Sequence, residues 1–200
     1  MPKTRLESFS DGVLAIIITI MVLELKVPRG TDLASLRPLA EQFLSYALSF
    51  VYIAIYWNNH HHLLHTARRL NSKIMWANAH LLFWLSLVPF ATGWLGENHG
   101  AAWPTAIYGA VLLMSAVAYF ILQGCIVEDH GQGSLLAQTL GRDWKGKLSL
   151  ASYAAAVVLS FVNQWSADTL YVLVALMWLI PDQRMEKVLA GTKGTQREGI

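Results

Sequence analysis

Arg5-Leu6-Glu7-Ser8-Phe9-Ser10-Asp11-Gly12, then the apolar run Val13–Leu23 broken only by Thr19, then Glu24, Lys26 and Pro28: this stretch decides the fold. Phe9 to Leu25 is 17 residues, about 25 Å of helix at about 1.5 Å per residue, close to one hydrocarbon core. Asp11 is expected at or just inside the edge of that membrane helix. A carboxylate there is costly without a partner, which makes Asp11 a candidate functional residue. Ile16, Ile20, Leu23 and Val27 recur at i, i+4, i+7 and i+11 and share one face, with Thr19 beside them. In membrane bundles such a stripe commonly packs on lipid or on a neighbouring helix.

Composition agrees with a membrane location. Apolar residues make up 54% and charged residues 14%, against about 25% charged in ordinary domains, and mean hydropathy is +0.40. A net charge of +2, with the basic residues at segment ends, argues against nucleic acid as a partner. Cys125 is the single cysteine, which excludes an intrachain disulfide and a thiolate metal cage. The first apolar segment lacks a small-residue cleavage site and reads as a retained helix.

Six segments are expected to be helical: Phe9–Val27, Leu36–Leu64, Ile74–Leu95, Trp103–Val127, Leu148–Val162 and Leu170–Ile180. The second begins amphipathic, with Glu41, Gln42, Ser45 and Ser49. Pro89 should bend or break the third. The fold class is therefore an all-α integral membrane protein with six transmembrane helices per subunit. Residues 1–185 form the membrane domain and 186–200 a cytoplasmic, disordered tail. Ser134–Leu140, in the long connection after Glu128, could make an interfacial helix. With six spans, twelve of the 15 Lys and Arg residues fall on the side of the termini, and only Lys26, Arg29 and Arg37 on the other. That asymmetry predicts a multi-pass protein of the cell (inner) membrane with both termini cytoplasmic.

Trp57-Asn58-Asn59-His60-His61-His62-Leu63-Leu64-His65 is the densest polar cluster. His61 and His65, at i and i+4, have the spacing of two zinc ligands. A complete site would need His80, His99, His130 or an acid as well, and nothing in the sequence brings these together. Interhelical hydrogen bonding is the simpler use of imidazoles and carboxamides in lipid, and proton sensing is a third. No enzyme signature is present: there is no Gly-x-Ser-x-Gly, no phosphate-binding loop and no His-Glu-x-x-His. Ser10-Asp11 could imitate a nucleophile and base, but is equally a helix cap pair. The potassium-filter sequence Thr-Val-Gly-Tyr-Gly is also absent.

Arg5-x-x-x-Phe9-Ser10-Asp11-Gly12 resembles the signature of the transmembrane-protein-175 family of potassium channels. Val22-Leu23-Glu24-Leu25, Trp57-x-Asn59-His60-His61, Leu87-Val88-Pro89-Phe90-Ala91-Thr92 and Ile180-Pro181 are similar to its later motifs. The resemblance implies a homotetramer of the prokaryotic kind, embedded in the bilayer, with the first helix of each subunit lining the pore. Ile16 would form the narrowest ring, with Ile20 and Leu23 further out and Thr19 near the path. Arg5, Phe9, Ser10, Asp11, Gly12, Trp57, Asn59, His60 and His61 would form a structural network, in which Ser10 and Asp11 bond to the second and third helices, including His60 or His61. His62 stands where relatives more often carry a basic residue. Monovalent cations, potassium above all, would be the cargo, with no cofactor and no resident metal.

Isoleucine rings cannot coordinate a cation. A permeating ion must keep its water or shed it briefly, and the larger cation sheds water more readily. Moderate potassium selectivity is the expectation, and apolar rings can also gate by dewetting. The competing reading is a proton-coupled or divalent-metal transporter using the His60–His65 run and Asp11. Transporters usually carry repeated halves with broken helices, and no repeat is found here.

Overall fold

The computed structural model describes residues 2–67, 69–130 and 143–180. Among these, regular structure is helical: α1 (Lys3–Leu23), α2 (Ala40–Thr66), α3 (Ser72–Ser86), α4 (Val88–Glu97), α5 (Ala102–His130), α6 (Trp144–Leu159) and α7 (Gln164–Leu179), with a 3-10 segment at Leu33–Leu39. Because α3 and α4 are halves of one interrupted rod, the described chain forms six rods. Lys3–Leu23, Leu33–Thr66, Ser72–Glu97 and Ala102–Asp129 are long and apolar enough to cross a membrane. The last two helices, at 16 residues each, reach only about 24 Å. The expected interfacial helix Ser134–Leu140 and the tail 186–200 lie outside the described residues.

Several helix bounds differ from those expected from sequence, and two of the differences have a visible cause. Helix α1 runs from Lys3 to Leu23, not from Phe9 to Val27, so Asp11 lies more than two turns inside it, Ser10-Asp11 is not a cap pair, and Val27 lies beyond the helix that carries Ile16, Ile20 and Leu23. The reason is a buried stripe, Leu6, Ser10, Leu14, Ile17 and Met21, whose i, i+4, i+8, i+11 and i+15 spacing runs back through the polar N-terminal turns. Lys3 Nζ also donates to the His65 carbonyl at 2.6 Å, placing a cation at the end of α2, where the helix dipole is negative. That bond fixes α1 and α2 as antiparallel neighbours. The second correction concerns α6 and α7, which begin earlier than Leu148 and Leu170. Asp143 accepts from the Gly146 N–H at 2.9 Å and Asn163 from the Ser166 N–H at 3.3 Å, so each helix starts at a side-chain cap.

Pro89 acts as its chemistry requires. It sits in the first turn of α4, just past the interruption at Leu87, where its missing N–H costs no helical bond. Helix α3 packs along α5, and α4 turns onto α2.

The amphipathic start of α2 points inward: Gln42, Ser45 and Ser49 are buried. Their surroundings are a hydroxyl-rich core in which each group finds a partner. Thr92 Oγ1 donates to Ser49 Oγ at 2.7 Å, and Ser49 Oγ lies 3.0 Å from Tyr108 Oη. Tyr52 Oη donates to the Tyr171 carbonyl at 2.6 Å, and Tyr171 Oη to the Thr105 carbonyl at 3.0 Å. These bonds join α2, α4, α5 and α7 where lipid supplies no alternative partner. Gly109 makes room for them, since a Cβ there would overlap the Tyr171 hydroxyl and ring carbon Cζ. Gly109→Ala is expected to cost about 1–3 kcal/mol by overpacking, seen as a lower Tm of the protein in detergent. Wild-type Tm would contradict that packing.

Candidate pore-lining face and its buried anchor

Helix α1 has two faces of opposite fate. The Leu6–Met21 stripe is buried in the bundle, whereas Ile16 (60% exposed), Ile20 (42%) and Leu23 (77%) stand free. Thr19 is exposed among them, its hydroxyl donating to the Ala15 carbonyl at 2.9 Å. That bond satisfies the hydroxyl within its own helix while leaving its oxygen lone pairs on the free face. Ile18 is turned towards the core and packs against it.

The buried face is fastened by a relay of three polar side chains, all essentially out of solvent. His60 Nε2 lies 2.6 Å from Asn78 Oδ1, and Asn78 Nδ2 donates to Ser10 Oγ at 3.0 Å. Since the Asn78 oxygen can only accept, His60 carries its proton on Nε2. One carboxamide thus holds α1, α2 and α3 together. Asp11 has a separate partner: Trp57 Nε1 donates to its Oδ1 at 3.0 Å. The two contacts put α1 in a fixed rotation, which decides that Ile16, Ile20 and Leu23 face outward.

The expected nine-residue network is therefore divided. Ser10 and His60 share the relay, and Asp11 and Trp57 share the second contact. Asn59 donates from Nδ2 to the Ile55 carbonyl at 2.9 Å, and its own carbonyl accepts from Tyr119 Oη at 3.3 Å. Arg5, Phe9 and Gly12 lie on exposed parts of α1, and a Cβ on Gly12 would meet nothing. His61 is exposed too, stacked on His65 with ring centroids 6.3 Å apart, so of the two imidazoles only His60 enters the relay. Asn78 was not among the expected site residues, yet it is the relay's centre. His62 sits edge-on to His61 with ring centroids 5.8 Å apart, whereas His80 accepts from Trp84 Nε1 at 2.9 Å and His99 Nδ1 lies 3.2 Å from the Leu95 carbonyl. Among the described residues no three His, Cys, Asp or Glu side chains gather into a metal site.

At the other end of α1 a recess of about 420 Å³ is lined by Glu24, Gln42, Phe90, Gly93, Trp94 and Glu97. Gln42 Nε2 donates to the Glu24 carbonyl at 3.3 Å, and Lys26 pairs with Glu97 at 2.7 Å. Partial burial, and then the Glu97 charge, hold the Glu24 carboxyl above its ordinary value of 4.5. A raised carboxyl favours the protonated form in the folded state, so stability is lost as pH rises from the ordinary value through the raised one. Glu24→Gln should accordingly raise Tm at neutral pH, and the gain should vanish below pH 4.5. A gain that persists in acid would contradict this origin.

A helical bundle with four helices long and apolar enough to span a membrane, one of them anchored on one face by buried polar bonds and apolar and exposed on the other, places the chain among polytopic α-helical membrane proteins. Residues 5–89 match the family model described as endosomal/lysosomal potassium channel TMEM175. A potassium channel of Chryseobacterium sp. (strain P1-3) is 54% identical over 189 residues, covering 94% of this chain and 98% of the relative. A potassium channel of Chamaesiphon minutus is 31% identical over 177 residues, covering 80% and 85%. The crystal structure of a lysosomal potassium-selective channel TMEM175 homolog from Chamaesiphon minutus superposes with a TM-score of 0.77 at 27% identity, over 89% of this chain and 96% of that one. The chain belongs to the TMEM175 family of ion channels.

Proposed function

We propose that the chain is one subunit of a homotetrameric, moderately potassium-selective cation channel of the cell (inner) membrane, with both termini cytoplasmic. Four α1 helices surround the axis and turn their free faces to it. Ile16 forms the tightest apolar ring, Ile20 and Leu23 form successive rings outward, and Thr19 places a hydroxyl beside the path. The observation that carries this reading is the split character of α1, whose exposed Ile16, Thr19, Ile20 and Leu23 lie opposite a face bonded into the bundle. The named activities of the relatives support the choice of potassium as cargo.

The rings select without coordinating. Each obliges an ion to cross apolar surface with part of its water removed, which disfavours the more tightly hydrated sodium. A ring narrow enough to expel water also acts as a gate. No chemical step and no cofactor is required. Purified protein in liposomes should pass potassium faster than sodium, with a reversal potential displaced towards potassium under opposed gradients. A reversal near zero would count against potassium selectivity, and flux of protons or zinc in place of potassium would replace the channel reading with the transporter one.

A further inference from the structure

We propose that a groove on the lateral surface of the bundle, between α2 and α7, holds one acyl chain of an anionic phospholipid whose phosphate is taken by Lys145. The groove, about 310 Å³, is lined by Phe50, Ala54 and Ile55 on one side and Trp178 and Leu179 on the other, with Asn58 at one end. From Asn58 to Phe50 it follows α2 for about 12 Å, the length of a substantial part of an acyl chain.

Its polarity changes along that length in the way a lipid's does. Phe50 and Ala54 are apolar, the exposed carboxamide of Asn58 marks the other end, and the Lys145 ammonium stands 5.8 Å from the Trp178 ring centroid. Lys145 Nζ donates to the Met177 carbonyl at 3.3 Å and the Ile180 carbonyl at 2.9 Å. An ammonium has three N–H groups, so one donor and the charge stay available. Trp178 is held rigid between groove and core, because its Nε1 donates to Ser149 Oγ at 2.8 Å. Basic side chains between helices near the cytoplasmic surface attract anionic headgroups, and indoles favour that depth. Asn58 and Asn59 are the polar side chains of the lining, and Lys145 joins the groove through its contact with the Trp178 ring. The leaflet assignment rests on the orientation proposed above.

The assembled protein, exchanged into detergent with phosphatidylglycerol or phosphatidylcholine added, would be examined by native mass spectrometry. Wild type should retain phosphatidylglycerol preferentially, at up to one molecule per subunit. Lys145→Gln should lower that preference roughly fivefold, the weight of one basic side chain at an anionic surface. Ala54→Trp, which fills the groove, should abolish retention while the assembly stays intact. Retention unchanged in both variants would overturn the proposal. So would Ala54→Trp breaking the assembly while Lys145→Gln retains lipid as wild type does, since the groove would then be a subunit seam. The readout is bound lipid, so a protein that fails to conduct potassium but retains lipid in this pattern separates this inference from the channel reading.

Discussion

Ile16→Asn should raise potassium flux and lower discrimination against sodium in the same liposomes. With four α1 helices around an axis, Ile16 supplies four branched side chains to the narrowest ring, and an ion crosses it with no polar contact to replace lost water. Four carboxamides would restore hydration at that point. The barrier that dominates the current falls, and with it the demand for dehydration that separates the two cations. Conductance and selectivity therefore move in opposite directions. Ile18→Asn is the control: at about 100° per residue, Ile18 projects about 200° from Ile16 and packs against the core. It should lower Tm and leave the potassium-to-sodium ratio alone. If lipid covers the stripe, a folded Ile16→Asn protein should conduct as wild type does, which would remove α1 from the pathway.

Asn78→Leu should be the most damaging single change to the subunit. It leaves His60 Nε2 without its acceptor and Ser10 Oγ without its donor, both in essentially dry surroundings. An orphaned buried polar group costs about 1–3 kcal/mol, and two arise at once. An average interhelical hydrogen bond in a membrane protein, by contrast, contributes only about 0.6 kcal/mol. The expected result is a large loss of assembled protein on size exclusion. The triple variant Ser10→Ala, His60→Leu, Asn78→Leu should recover part of it, because no polar group is then stranded. Equal stability of Asn78→Leu and wild type would mean the relay is decorative.

Legibility from sequence followed residue chemistry. Spacing alone put Ile16, Ile20 and Leu23 on one face of α1, because they repeat in a helix whatever surrounds them, but it wrongly counted Val27, which lies past the helix end at Leu23. The break near Leu87 could be read from Pro89 for the same reason. The start of α1 at Lys3 could not, because the stripe that extends it includes Ser10, and a serine breaks an apolar pattern unless its partner is known. Asn78 was hidden as a lone carboxamide in an oily helix. A signal did exist: it occupies the stripe Ile74, Ala77, Asn78, Leu81, Leu82 and Leu85, all of them buried. A buried carboxamide has two donors and an acceptor to satisfy, more than its own helix supplies, and Ser10 and His60 are the partners from other helices. The early starts of α6 and α7 were missed because hydropathy sees the apolar run, whereas Asp143 and Asn163 set the helix ends by capping. His61 and His65 were singled out by spacing that says nothing of a third ligand.

Cysteine accessibility tests directly whether the free face of α1 lines the ion pathway. With Cys125, the single cysteine, replaced by Ser, single cysteines at Ile16, Ile20 and Leu23 would be compared with cysteines at Ile17 and Met21. Potassium flux through liposomes would be recorded before and after a small, charged, water-soluble thiol reagent. A pore-lining stripe should give block at Ile20 and Leu23, block at Ile16 when the ring is hydrated, and no effect at Ile17 and Met21, which are buried. Uniform insensitivity along the stripe in conducting protein, or block confined to Ile17 and Met21, would contradict it.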